Sequence, residues 1–267
     1  MDATITFLGT AGDSTVMGKQ LAASGGIVLT DGTFQIHLNP GPGSLVQAKR
    51  HGINVRNTDV LLASENLPLQ TGDLNASVEA MTLGGLDRKG VLLAPPGVVE
   101  GSERYTPTLS IQQAEHLERV IKLRIGDKVG IGDITIHPTQ TSLEEDLAIG
   151  YILRTPHYCV GYCGRTRYSK KIAGQFSHCD IVILHFTFDD HSTLEQDSES
   201  CINLLKDAQP RLAIMTGFGV KALREDVLSI IRSMHKETGI QCMSAKDGLS
   251  VNPASYAKKV RQKSLDM

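Results

Sequence analysis

Between the apolar run Leu61-Leu62-Ala63 and the pair Gly72-Asp73 lies the loop Ser64-Glu65-Asn66-Leu67-Pro68-Leu69-Gln70-Thr71. A strand that runs through such a loop into a helix presents its side chains at a sheet edge, where binding and catalytic groups concentrate. The loop holds one carboxylate, Glu65, and one carboxamide, Gln70, beside the apolar Leu67 and Leu69. Arg165, Arg167, Lys170 and Lys171 form a local basic cluster suited to an anion or nucleotide, or else a solvated loop. The stretch His185-Phe186-Thr187-Phe188-Asp189-Asp190-His191 follows a buried strand, and a partner contact or an ordinary surface role is expected of its histidines. Cys159 and Cys163 are four apart in a strand and face the same way. With His157 or His178 they would suggest a nucleophile or a metal site. No C-x-x-C is present, and free cysteine is a common core residue, so a core role is expected. His37 precedes a Pro-Gly turn and is read as structural. Gly9–Gly12 and Pro40–Gly43 lack the Gly-Lys-Ser/Thr ending that cradles phosphates.

The elements that must position these residues are legible as runs of short strands, each run followed by helices. Thr4–Leu8 reads as a strand, and Gly26–Thr30 with Thr33–Leu38 as a hairpin about Asp31-Gly32. Ser44 is expected to cap a helix starting near Leu45. Val60–Ala63 and Val91–Ala94 are strands, Leu74–Met81 a helix with Leu74, Val78 and Met81 on one face, and Ser110–Val120 a polar helix. Lys128–Ile136 is a hairpin turning at Gly132-Asp133, and Ile149–Arg154, Tyr158–Tyr162, Ile181–Leu184 and Leu212–Met215 are strands. Ser198–Leu205 and Val220–Lys236 are helices, and Ile240–Ser244 with Leu249–Val251 a hairpin about Asp247-Gly248. The pattern predicts an α/β sandwich in four layers, αββα, with mixed sheets and helices on both outer faces. It is expected to be one domain over residues 1–252, followed by a basic tail over 253–267 that carries Lys258, Lys259, Arg261 and Lys263.

The chain has 267 residues, a formal charge of -2 and 40% hydrophobic residues, enough for a sizeable core. The near-neutral balance argues against nucleic-acid or anionic-membrane binding. No apolar run approaches the ~18–20 residues that span a bilayer, and Met1–Ile5 shows no secretory pattern. Five scattered cysteines fit reduced thiols, so a cytoplasmic protein is expected.

In order along the chain, six segments resemble the metallo-β-lactamase superfamily, closest to its archaeal and RNase Z/cyclic-phosphodiesterase-like branches. Phe7-Leu8-Gly9-Thr10-Ala11-Gly12 is similar to its F-L-G-T-G-G. Ile36–Gly43 is similar to I-H-x-D-P-G-P-G, with Asn39 for Asp. The loop at Ser64–Gln70 stands in the frame of T-H-x-H-x-D-H, followed by G-D and a helix. Ile149-Gly150-Tyr151 resembles I-G-[FY], Gly164–Tyr168 resembles G-D-T-x-Y, and Leu212–Gly219 resembles L-A-I-[IM]-T-H-F-G.

In active relatives these loops hold one or two zinc-class ions, which bring the pKa of a bound water toward ~7 and polarise the scissile bond. Residue by residue, the resemblance sets Glu65, Leu67, Leu69 and Gln70 at the His, His, Asp and His of the loop. It sets Leu143 at the fourth histidine, Arg165 at the bridging Asp and Gly217 at the last histidine. This implies a degenerate member with no metal, no cofactor and no catalytic residue. Glu65 and Arg165 fall in facing slots, so one expectation is that they pair in the place of the metal, dried by Leu67, Leu69 and Leu143; the other is that both point into solvent. The expected role is a scaffold, subunit or regulator bound to protein partners, as a homodimer or a heteromer. The alternatives are a hydrolase rebuilt around Glu65, Cys163 or His191, and an anion or nucleotide sensor using Arg165 with Arg167, His185 or His191.

Overall fold

The computed structural model describes residues 3–187 and 197–257. Their strands are β1 (Thr4–Phe7), β2 (Ile27–Asp31), β3 (Phe34–Leu38), β4 (Val60–Leu62), β5 (Val91–Ala94), β6 (Arg119–Lys122), β7 (Val129–Ile131), β8 (Ile134–Gln140), β9 (Ile149–Arg154), β10 (Cys159–Tyr162), β11 (Ile181–His185), β12 (Leu212–Thr216), β13 (Gln241–Ser244) and β14 (Ser250–Val251). Among the described residues they form two seven-stranded sheets, ordered β14-β1-β2-β3-β4-β5-β6 and β13-β12-β11-β10-β9-β8-β7. Each sheet is antiparallel where hairpins build it and parallel afterwards, from β3 to β6 and from β10 to β13.

Apolar residues on the inner faces of both sheets, Phe7, Ile36, Leu62, Tyr151, Ile183 and Ile214 among them, make one core. The outer face of the second sheet packs on helices Lys170–Gln175, Ser198–Ala208 and Val227–Thr238, and that of the first on Leu74–Thr82. This is the expected αββα sandwich with mixed sheets. Three tyrosines of the second sheet reach across to the first. Tyr151 Oη donates to the carbonyls of Ala63 (2.6 Å) and Leu93 (3.1 Å), and Tyr158 Oη donates to Asp31 (2.8 Å). Tyr162 Oη accepts from Asn39 Nδ2 at 3.0 Å. In a chain without Trp, these tyrosines supply part of the polar ties between the sheets.

Several expected elements differ. The helix predicted over Ser110–Val120 ends at His116, and Arg119–Lys122 becomes β6, an edge strand with exposed ends whose alternation is too short to register. The long helix over Val220–Lys236 breaks into Val220–Arg224 and Val227–Thr238, because the Asp226 carboxylate accepts from Leu228 N–H and starts a new helix. Ile240–Val251 is not a hairpin: β13 pairs with β12 while β14 pairs with β1 in the other sheet. Asp247-Gly248 carries the chain between sheets. The Asp247 carboxylate accepts from Thr10 Oγ1 and Ala23 N–H, and Gly248 N–H donates to the Phe7 carbonyl. Ser44 does not cap its helix; its hydroxyl bonds the carbonyls of Gly25 and Gly41. The helix at Lys170–Gln175, capped by Ser169, was not expected. The start of the supposed tail, Pro253–Tyr256, is a 3-10 turn with Pro253 buried, and Arg211 donates to the Ala257 carbonyl. Lys258, Lys259, Arg261 and Lys263 lie outside the described residues.

The parallel strands bring their carboxyl ends to one edge, the place where open α/β sheets bind ligands. There β3 delivers Asn39, β4 delivers Glu65, β10 delivers Arg165, β11 ends on His185 and β12 runs into Gly217. No helix of the described residues is long and apolar enough to cross a membrane.

Candidate functional site

Asn39 fixes the frame of the edge. Its backbone is left-handed (φ 55°), a conformation that Asn tolerates better than most side chains. Its carboxamide accepts from Ser64 N–H (2.8 Å) and donates to Ser64 Oγ and Tyr162 Oη (3.0 Å each). The ends of β3, β4 and β10 are thereby tied together. Asp73 accepts from Gly43 N–H at 2.9 Å, joining the far end of the loop to the Pro-Gly turn. The Ser64 carbonyl accepts from Ile149 N–H, and Glu65 bridges Ala148. The Glu65 backbone is therefore pinned between the two sheets.

The Glu65 side chain is 5% exposed and faces Arg165, which is 17% exposed. Arg165 Nε donates to Oε1 at 2.8 Å and Nη2 to Oε2 at 3.0 Å. This two-point, charge-assisted fork is the strongest geometry the two groups can make. Arg165 follows Gly164, whose left-handed turn (φ 66°) swings the chain back over the edge. The neighbouring loop is sewn on by Ser142 N–H to Thr166 Oγ1 and by Arg167 N–H to Ser142 Oγ. Glu65, Arg165, Leu67 and Leu143 wall a cavity of about 100 Å³. Leu69 does not join them. It turns into a second cavity of about 40 Å³ with Gln70, His185 and Gly217. The seven positions thus divide between two chambers.

His185 corrects the surface reading. β11 runs one residue further than expected, between β10 and β12, and His185 is buried at its end. Burial first, and then the charge of Arg165, lower its pKa to about 3, so the imidazole is neutral. Gly217 is left-handed (φ 67°), and a Cβ there would lie 2.3 Å from the His185 ring. The imidazole of His185 fills the space that a side chain at 217 would need. Sequence reasoning missed this exchange because the two residues are far apart in the chain.

The remaining candidates separate. Arg165 turns inward while Arg167, Lys170 and Lys171 are exposed, so the basic run is not one cluster. Cys159 and Cys163 are buried, and burial pushes the Cys163 thiol well up. His157 and His178 are exposed, whereas that pair is buried. His37 is buried, its Nε2 bonded to the Gly25 carbonyl at 2.8 Å; burial lowers its pKa to about 4 against the pull of that bond. Asp189, Asp190 and His191 lie outside the described residues.

The donor set does not fit a zinc-class ion. Both Glu65 oxygens are engaged by Arg165, whose permanent positive charge opposes a dication beside it. Leu67, Leu69, Leu143 and Gly217 have no donor atom. Among the described residues no group of three or more His, Cys, Asp or Glu is arranged to hold a metal.

A family model described as "Beta-lactamase superfamily domain" matches residues 35–218. An uncharacterized protein of Methanocaldococcus jannaschii is 29% identical over 251 residues, covering 92% of this chain and 94% of that protein. Among solved structures, the metallo-β-lactamase fold protein YhfI of Bacillus subtilis is similar with a TM-score of 0.77 at 14% identity, over 94% of this chain and 99% of its own. Zn(2+)-bound PqqB from Methylobacterium extorquens gives 0.69 at 12% identity, over 93% and 99%. The short form of human tRNase Z gives 0.63 at 10%, over 94% and 99%.

The ion pair generates the first prediction. Glu65→Ala or Arg165→Ala alone leaves a charge stranded in the fold and is expected to cost about 3–5 kcal/mol in urea unfolding. The double variant Glu65→Leu/Arg165→Met, which leaves no charge behind, should recover most of that. If the single variants were as stable as the parent, the fork would not form in solution. The histidines generate a second. His37 and His185 are neutral when folded but take protons near pH 6.5 when unfolded. The unfolded state then binds more protons, so stability is full above about pH 6.5 and falls as pH drops toward 4, by up to about 1.4 kcal/mol per pH unit for each histidine. Urea midpoints at pH 7.5, 6 and 5 should decline, and His185→Gln should flatten the decline. A flat profile in the parent would contradict the buried, neutral assignments.

Proposed function

This chain belongs to the β-lactamase superfamily, with the metallo-β-lactamase fold, and we propose that it is a non-catalytic member that serves as a scaffold, subunit or regulatory partner in a protein complex. The observation that carries the reading is the Glu65–Arg165 fork. A metal-dependent hydrolase needs a site that helps its bound water lose a proton and polarises the scissile bond. In this chain the corresponding space is closed by an ion pair that neutralises itself and leaves no carboxylate oxygen for an ion. The leucines at 67 and 143 dry the same chamber.

A rebuilt hydrolase centred on Cys163 finds no support. That thiol is fully buried with its pKa raised, the opposite of an activated nucleophile. A sensor built on the basic run loses its convergence, since Arg165 is committed to Glu65 and its neighbours face solvent.

Retention of a complete fold around a closed site is most simply explained by a surface that something else uses. Leu86 and Ile111, 89% and 83% exposed, are the most exposed of the large apolar side chains among the described residues. Leu86 follows the helix Leu74–Thr82 and Ile111 opens the helix Ile111–His116, and they give the first surface to probe. Light scattering of the purified chain, with affinity co-purification from native cells, is expected to return a dimer or a stoichiometric protein partner. Leu86→Lys with Ile111→Lys should weaken that association. A strict monomer that retrieves nothing would contradict the reading.

A further inference from the structure

The smaller cavity holds polar groups with nothing to bond. Gln70 Oε1 and Ser24 Oγ are buried there without a hydrogen-bond partner, and the His185 ring lines the same cavity. The three side chains are 3%, 5% and 7% exposed. Buried polar atoms are nearly always paired, so two unpaired ones around one opening mark a place that something else completes. Asn39 and Tyr162, also in the wall, are already bonded to each other.

The wall sets the chemistry. No residue lining the cavity carries a formal charge: His185 is neutral, and Glu65 and Arg165 belong to the other chamber. A charged ligand would lose its hydration there without a counter-charge. Gln70 presents an acceptor and a donor side by side, the Ser24 hydroxyl serves either way, and a neutral imidazole carries one donor and one acceptor. About 40 Å³ is room for roughly three water positions at ~10–15 Å³ each. Three heavy atoms (one carbon, one nitrogen, one oxygen) is the size of a carboxamide group.

We propose that the cavity lined by Ser24, Gln70 and His185 binds the carboxamide end of an uncharged small molecule, whose remainder extends through the open mouth. One N–H of the ligand meets Gln70 Oε1 and its carbonyl meets Gln70 Nε2, a two-point pairing of like groups. Its second N–H is left for Ser24 Oγ or the His185 ring nitrogen. The inference needs no protein partner and goes beyond the scaffold reading.

The test is a titration of the ¹⁵N-labelled full chain with acetamide, with acetate, its near-isosteric anion, in parallel at equal ionic strength. Acetamide should give saturable shifts confined to the amides of Gly9, Gly26 and Gly217 and to the Gln70 side chain. Acetate should give none there. Gln70→Leu should weaken the acetamide response at least tenfold, and Ser24→Ala, which barely disturbs packing, several-fold. Shifts that never saturate would mean that the cavity holds water alone. Equal responses to both probes, or an unchanged affinity in the folded Ser24→Ala and Gln70→Leu variants, would overturn the proposal as well.

Discussion

A carboxylate buried at a junction between two sheets must be neutralised, and the structure of this chain's working edge follows from how that is done. Glu65 hangs from the end of β4 in the first sheet and Arg165 from the end of β10 in the second. Their fork therefore closes the sandwich as well as its own charges. Taking both groups out of water offsets much of their attraction, so the pair adds little net stability relative to an apolar filling. Its effect is on geometry: only one arrangement of the two loops leaves neither charge stranded. Around it run neutral ties of the same kind, Tyr151 to the carbonyls of Ala63 and Leu93, and Asn39 to both Ser64 and Tyr162.

That closure divides the edge. On one side the ion pair faces Leu67 and Leu143; on the other, Gln70 and His185 face an uncharged hollow. The hollow exists in its present shape because Gly217 has no side chain and His185 lies over it. The two residues belong to one exchange, and neither can be altered without regard to the other. The two chambers therefore differ in lining, although their residues come from the same loops and the charge of Arg165 still reaches His185.

Much of the fold was legible from the chain. Period-two runs bounded by Asp-Gly and Gly-Asp turns placed most strands to within a residue, and the segments from Phe7 to Gly219 placed their order. Three kinds of feature were not. β6 is a four-residue edge strand whose partner lies far away in sequence. The break at Glu225-Asp226 depends on a single side-chain cap competing with helix continuation. The Asp247-Gly248 turn looks local but bonds to Phe7, Thr10 and Ala23 across the molecule. At the site, complementary charges in facing slots made the Glu65–Arg165 pairing readable. The burial of His185 was not, because the titratable letters after it, Asp189, Asp190 and His191, suggest a surface loop. Nor could spacing reveal that Leu69 faces away from Leu67.

On the non-catalytic reading proposed for this chain, the Glu65–Arg165 pair takes the place that a metal has in active relatives. The most direct measurement of that claim is elemental analysis of the full chain after growth in zinc-supplemented medium and exhaustive dialysis. The account predicts well below one equivalent of any transition metal, with the Glu65–Arg165 coupling energy in a double-mutant cycle unchanged by added zinc. One or two tightly held equivalents, lost together with Glu65, would contradict it.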